Sequence, residues 1–229
     1  MDLGIKGKYA LVTGGSHGIG LATAHALARE GCHVALTARK EDRLNQAVRD
    51  IQAHDVEAVG VSADALLAGD IERVMKEVIR LWGTLHILVN NVGGGGRWGS
   101  DSVEETPEEV WKDVYHKNVT AALRFTKQAL PWMRKQHWGR VVTVASLYGR
   151  EGGGRPWYSM AKGKIRPASK KWFNPLCRWD GWGLLKRWPR SLSSSRLNRQ
   201  ASSTEPAWPS MAERAEASNE SEPHHSYVE

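Results

Sequence analysis

Short apolar runs alternate with helical stretches five times between residues 8 and 145, and the pattern then stops. No other feature limits the possible folds as strongly. Residues 8–13 (KYALVT) end in glycines and fit a buried parallel strand. Residues 18–30 carry helical spacing and stop at Gly31, a natural helix terminator. A strand follows at 33–37, an amphipathic helix at 41–54, a strand at 57–62 and a helix at 68–82 closed by Gly83. Residues 86–90 read as a strand, 107–116 and 118–136 as helices, and 140–145 as the last strand. This alternation predicts an α/β fold, a doubly wound parallel sheet with helices on both faces. Right-handed crossovers and the reversal of strand order place a ligand cleft at the carboxyl ends of the strands.

The first chemical signal lies in that cleft. Gly14, Gly18 and Gly20 sit in TGGSHGIG, directly after a strand and at a helix start. A chain turning this tightly needs residues without a Cβ. Free N–H groups at a helix start favour a pyrophosphate. A glycine trio alone also serves ordinary strand-to-helix turns. The strand before it and the helix after it favour a Rossmann-like nucleotide site here.

Further motifs agree in order. TGGSHGIG, NNVG at 90–93, Asn118 within HKNV, Ser146, and YSMAK at 158–162 resemble the short-chain dehydrogenase/reductase family over residues 5–162. The resemblance implies an oxidoreductase that moves a hydride between a nicotinamide cofactor and a carbonyl or secondary alcohol. Tyr158 resembles the general acid that protonates the carbonyl oxygen. A phenol is a weak acid near neutrality, so it needs a nearby positive charge. Lys162, four residues on, shares its helical face and would favour the tyrosinate and hold the nicotinamide ribose. Ser146 would hydrogen-bond the substrate oxygen, and Asn118 would help complete a proton relay through water. Asp64 resembles the acid that holds the adenine amino group. Asn90 resembles the residue near the adenosine ribose and the central strand. Ser16, His17 and Ile19 of the glycine loop complete the cofactor set. Gly152, Gly153 and Gly154 form a flexible loop on the substrate side.

The second strand argues for one cofactor over the other. Members that bind NAD usually end this strand in an acid that bonds both ribose hydroxyls. Here it ends Thr37-Ala38-Arg39-Lys40, with no acid. Arg39 suits a 2′-phosphate, with Ser16 and His17 able to add a hydroxyl and a partial charge, so NADP(H) is expected over NAD(H). Arg39 and Lys40 also fit a merely solvated helix start. The substrate is expected to be a small carbonyl or alcohol, most nearly a 3-oxoacyl thioester or similar ketone. No metal is assigned.

Composition bounds the remaining classes. The net charge is +7, split into about +3 for residues 1–163 and +4 for 164–229. A basic surface attracts phosphates, nucleic acid or membranes. At this size, solubility and a basic cofactor pocket account for it, so neither a nucleic-acid nor a membrane partner is expected. Cys32 and Cys177 offer no disulfide framework and suit a reducing compartment. With no signal peptide or 18-residue apolar segment, the reading is a cytoplasmic protein. Intact members of the family are usually homo-oligomers.

Residues 164–229 read differently. They hold five of the eleven tryptophans and eleven serines with no run of aliphatics, so no packed core is expected from them. Residues 188–206 look like a disordered polar segment. Pro167 and Pro175 would break a helix continuing from Lys162. The expected organisation is a catalytic domain at 1–163, with its sheet incomplete at the C-terminal edge, and a disordered tail at 164–229. The tail makes sense in another reading frame. Taking the last base of each codon with the first two of the next, Trp179-Asp180, Trp182-Gly183 and Met211-Ala212 must each yield glycine. With permitted codons, Cys177 to Asn219 can then encode GRLGTPEEVA, VNG and VDGG before a stop, resembling the family's C-terminal segment. The expectation is a frameshift near Gly163, joined to a deletion or a wrongly joined segment. The competing reading is an evolved basic extension that binds anions or a partner. Two functional alternatives stand beside the enzyme: a non-catalytic nucleotide-binding fragment, and an unstable product of a frameshifted gene.

Overall fold

The computed structural model describes residues 3–151 and 154–163. The expectations for residues 164–229, for Gly152 and Gly153 and for Cys177 lie outside the described residues. In chain order the elements are β1 (Tyr9–Thr13), α1 (Gly18–Arg29), β2 (His33–Ala38), α2 (Glu41–Gln52), β3 (Ala58–Ser62), α3 (Ala68–Trp82) and β4 (Ile87–Asn90). Then follow α4 (Glu108–Tyr115), a π-helical turn (His116–Thr120), α5 (Ala121–Lys135), β5 (Arg140–Thr143), α6 (Tyr148–Glu151) and α7 (Pro156–Lys162).

The strands form one parallel sheet in the order β3-β2-β1-β4-β5. Strand alternation divides their side chains between two cores. Ala10, Val12, Val34, Leu36, Ile87 and Val89 face α1 and α2, where Ala24, Ala28, Leu44, Ala47 and Ile51 meet them. Leu11, Ala35, Val61 and Leu88 face α3 and α5. Ile71, Val74 and Val78 of α3 and Phe125, Ala129 and Met133 of α5 recur at helical spacing and close that side. The Rossmann-like α/β sheet expected from the alternation is therefore present, with its reversal of strand order between β1 and β4.

Three local features differ from the periodicity. The two helices expected to part near residue 117 are joined through the π-helical turn, which absorbs one extra residue in the helical ladder. Helix α6 is only four residues long and buries none of them, so it leaves no periodic signal. Strand β5 is one of the two edge strands among the described residues, opposite β3, and Arg140, Val142 and Thr143 are exposed on it. Among the described residues no strand pairs beyond it.

Candidate active site

The glycine loop sits where the strand order reverses. Gly14 and Gly18 take positive φ values of 63° and 57°, which L side chains rarely adopt. Gly20 is required for closeness, because a Cβ there would overlap the Gly14 carbonyl oxygen. Helix α1 begins at Gly18 with His17 extended before it, no side-chain cap and no acid in its first turn. Leu21 N–H is claimed by the His17 carbonyl at 3.3 Å. The N–H groups ahead of it have no acceptor inside the helix. A Cβ on Gly18 would meet nothing within 4 Å, so the loop opens outward there. An uncapped helix start facing open space fits a pyrophosphate group. Ser16 and His17 share a 3.3 Å hydrogen bond, and Ile19 is exposed at the mouth.

Asn91 braces this loop and was not singled out from the sequence. Its Nδ2 donates to the carbonyls of Thr13 (3.0 Å) and Gly14 (3.1 Å). Its backbone N–H donates to Thr13 Oγ1 at 2.9 Å, and Thr13 Oγ1 donates to the Val89 carbonyl at 3.2 Å. The ends of β1 and β4 are thus tied together at the reversal. Asn90 turns the other way, as consecutive residues leaving a strand do. Its Nδ2 donates to Thr126 Oγ1 of α5 at 3.0 Å, and its side chain is buried. The pair NN was legible; which of the two faces the loop depends on strand direction.

Arg39 and Asp64 lie at neighbouring strand ends. The register pairs Ala38 with Ser62, and Ala63 N–H donates to the Ala38 carbonyl at 3.0 Å. Arg39 is exposed, and its guanidinium makes no hydrogen bond or ion pair among the described residues. Asp64 Oδ1 accepts Leu66 N–H at 3.0 Å, while Asp64 N–H donates to Asp70 Oδ2 at 2.7 Å.

The expected catalytic residues gather around the glycine run 93–96. Asn118 stands on the π-helical turn and is buried. Its Nδ2 donates to the carbonyls of Gly94 and Val114, both at 2.7 Å, and its Oδ1 accepts Gly94 N–H at 3.0 Å. A Cβ on Gly93 would stand 2.7 Å from Asn118 Oδ1 and 2.8 Å from Lys162 Nζ, so the two groups meet at this glycine. Gly96 lies against the ring of Tyr158. Only NNVG was singled out; the longer run GGGG at 93–96 was the readable signal for this wall.

Tyr158 and Lys162 stand one turn apart on α7, as their spacing requires. Lys162 Nζ donates to the Val144 carbonyl at 3.0 Å, just beyond β5. Burial holds its amine below the usual lysine range. Ser146 Oγ accepts the Tyr148 N–H at 3.3 Å, and the Tyr148 ring meets Tyr158 edge-on with centroids 6.4 Å apart. Ser146 is therefore linked to Tyr158 through Tyr148. Gly154, the described end of the expected substrate-side loop, packs against Tyr148 and Ser159.

Trp157 and Arg155 anchor the start of helix α7. Trp157 is fully buried with Val114 and Ala161, edge-on to Trp111 at 5.5 Å. Arg155 donates to Asp101 Oδ1 through Nε at 2.9 Å, and through Nη1 to the carbonyls of Trp98 (2.8 Å) and Gly99 (2.7 Å). It ties the start of α7 to the loop that follows β4. The described residues contain no cluster of three or more metal-ligating side chains and no helix long and apolar enough to cross a membrane.

Comparison with known proteins agrees with this geometry. The family model of the short chain dehydrogenases matches residues 8–178. A Streptomyces coelicolor protein named as a ketoacyl reductase is 37% identical over 147 residues, covering 63% of this chain and 55% of that one. The L-sorbose reductase of Gluconobacter frateurii, solved with NADPH and L-sorbose, superposes with a TM-score of 0.66 at 35% identity, covering 71% of this chain and 61% of that one. An NAD+-bound xylitol dehydrogenase superposes with a TM-score of 0.64 at 32% identity, covering 69% and 60%. The chain spans about half the length of the curated relatives it matches. Its motifs, its sheet order and its site together make it a member of the short-chain dehydrogenase family.

Proposed function

We propose that this chain descends from an NADP(H)-dependent oxidoreductase acting on a carbonyl or secondary alcohol, and that its nucleotide site is better preserved than its catalytic site. The observation that carries the reading is the meeting of Asn118, Lys162 and Tyr158 along Gly93–Gly96, beside the uncapped start of α1. A bound nicotinamide nucleotide supplies or accepts the hydride. The chain's own residues do the rest. Tyr158 offers its hydroxyl proton to the substrate oxygen, and Ser146 orients that oxygen. The Lys162 ammonium favours the tyrosinate, and Asn118 holds the Gly94 backbone in place. Arg39, with no acid beside it at the end of β2, favours NADP(H) over NAD(H). A 3-oxoacyl thioester or similar ketone is the proposed substrate class, supported by the ketoacyl reductase relative.

Specific observations favour the alternative of a nucleotide-binding fragment with impaired catalysis. The Lys162 amine gives one of its donors to the Val144 carbonyl, and α7 ends at Lys162 itself. Catalysis needs placement to a fraction of an ångström, held by surrounding side chains. The test is to titrate the purified chain with NADPH and assay it with ketones and 3-oxoacyl thioesters. The expected result is nucleotide binding without measurable turnover. Turnover that Tyr158→Phe eliminates would establish the catalytic reading, and absence of nucleotide binding would overturn both.

A further inference from the structure

At the amino ends of the strands, away from the glycine loop, two histidines accept backbone N–H groups. His86 immediately precedes β4, and its backbone N–H donates to the Tyr9 carbonyl at 2.9 Å, as a parallel ladder requires. The Tyr9 N–H, at the start of β1, donates in turn to His86 Nδ1 at 3.2 Å. A side-chain nitrogen thus takes the place of a ladder carbonyl, and the two residues hold each other reciprocally. Between β2 and β3 His33 repeats the arrangement. Its Nδ1 accepts the Glu57 N–H at 3.1 Å, and the Glu57 carbonyl accepts the Val34 N–H at 2.9 Å.

A backbone N–H can only donate, so His86 Nδ1 must be bare and the proton of the neutral ring must sit on Nε2. An imidazolium carries a proton on both nitrogens. It would turn one N–H against another, and the bond to Tyr9 would be lost. The surroundings add to that cost. The His86 ring is half-buried, tilted on Tyr9 with centroids 5.6 Å apart and edge-on to Trp138 at 5.8 Å. Lys8 Nζ and Arg140 Cζ lie 5.0 Å and 4.8 Å from the same Trp138 centroid. A charge on His86 would therefore join two cations already gathered on one indole. The other titratable groups of the cluster are His33, stacked on Tyr9 at 5.1 Å, and Glu57, whose Oε2 accepts Trp82 Nε1 at 2.8 Å. Burial, and then the Lys8 charge, hold the His86 imidazole below the usual histidine range.

We propose that His86 is an acid-sensitive clasp between β1 and β4, in which protonation of the ring expels the Tyr9 N–H and frees the amino end of β1. Strand β4 has only four residues, and beyond its other end Asn91 braces the glycine loop. Clasp and brace hold the same strand pair at opposite ends. Protons bind the ring more readily once it is released. The clasp is therefore whole above the ordinary histidine value of about 6.5 and weakens as pH falls below it.

The experiment follows amide hydrogen exchange by NMR in the full 229-residue chain, with circular dichroism to check folding. Protection factors, corrected for intrinsic exchange, are compared at about pH 8 and about pH 5, the span over which histidine changes charge. In the parent, protection of the Tyr9 N–H should fall about fivefold or more on acidification, the worth of one hydrogen bond, and by more than at Leu36 in the middle of β2. Asn carries its Oδ1 on the same carbon as histidine carries Nδ1, so His86→Asn keeps an acceptor that does not titrate, and the pH response at Tyr9 should vanish. His86→Leu should leave Tyr9 poorly protected at both pH values. His33→Asn should leave the Tyr9 response in place. Tyr9 protection that does not change with pH in the parent would overturn the proposal. So would a response that survives His86→Asn or disappears in His33→Asn, or firm protection in a folded His86→Leu.

Discussion

Helices α1 and α7 both carry residues of the site, yet they are held in opposite ways. Helix α1 has twelve residues and lies on β1, β2 and β4, whose side chains are almost all buried. Its glycine loop is tied to the sheet by Thr13 and Asn91. Helix α7 has seven residues and stands near β5, which is mostly exposed. It packs through Trp157 and Ala161 against α4, touches α6 and the π-helical turn, and is tied down by Arg155 and Lys162. A helix seated on a closed core inherits the stability of the whole sheet. A short helix held by a handful of side chains opens at a cost near the worth of those contacts. The proposed nucleotide and catalytic groups thus stand on parts of unequal firmness, although Asn91, which braces the glycine loop, and Gly93, where Asn118 and Lys162 meet, are two residues apart.

The largest expected effect breaks the firm side. Gly20→Val drives a branched side chain into the Gly14 backbone, which has little room to retreat. Nucleotide binding should be lost, and the sheet should lose about 4 kcal/mol or more of unfolding free energy. Calorimetric titration and urea unfolding measure both. A variant that melted like the parent would show that the loop is softer than its packing implies.

Next is the thin side. Trp157→Ala empties the space among Val114, Ala161 and Trp111, and should cost roughly 3 kcal/mol. The loss should stay local. Amide exchange should accelerate at 156–162 while β1, β2 and β4 keep their protection. Trp157→Phe should cost much less, because the buried indole N–H has no acceptor among the described residues. Faster exchange across the whole sheet would erase the distinction between the two helices.

The smallest effect sharpens the account of the firm side. Cys32 is fully buried beside α1, and its Sγ donates to the Ile5 carbonyl at 3.1 Å. Burial, helped by the Glu30 charge and opposed by Lys8, pushes its thiol from about 9 up to about 11. The folded state therefore favours the neutral thiol. That preference does not disturb stability below pH 9, and stability falls as pH rises toward 11, by roughly 2–3 kcal/mol in all. Cys32→Ala should flatten this alkaline limb of the urea-denaturation profile. An unchanged slope between pH 9 and 11 would assign the loss to other groups.

Much of the site was readable before the fold was known. The strand-to-helix position of TGGSHGIG, the absence of an acid after Thr37, and the four-residue spacing of Tyr158 and Lys162 are all local properties. Asn91 was read only as part of NNVG, because a pair of identical residues carries no sign of which one turns toward β1. A helix break was expected at residue 117, because a π-helical turn leaves no periodic mark of its own. The same is true of α6, too short to show a period.

What the sequence determined alone was therefore everything written in spacing along one chain: element order, the two-faced alternation of the strands, the glycine turn and the shared face of α7. The tertiary structure decided which side chains meet across elements. Thr13 and Asn91 are 78 residues apart, and only the parallel register of β1 and β4 brings them together. The Lys162 amine donates to the Val144 carbonyl beyond β5, a partner on another element that helical spacing does not indicate. Periodicity reports which face a residue occupies, since that follows from backbone geometry within a few residues. It carries no information on what stands opposite that face, because that is set by the packing of segments that are distant along the chain.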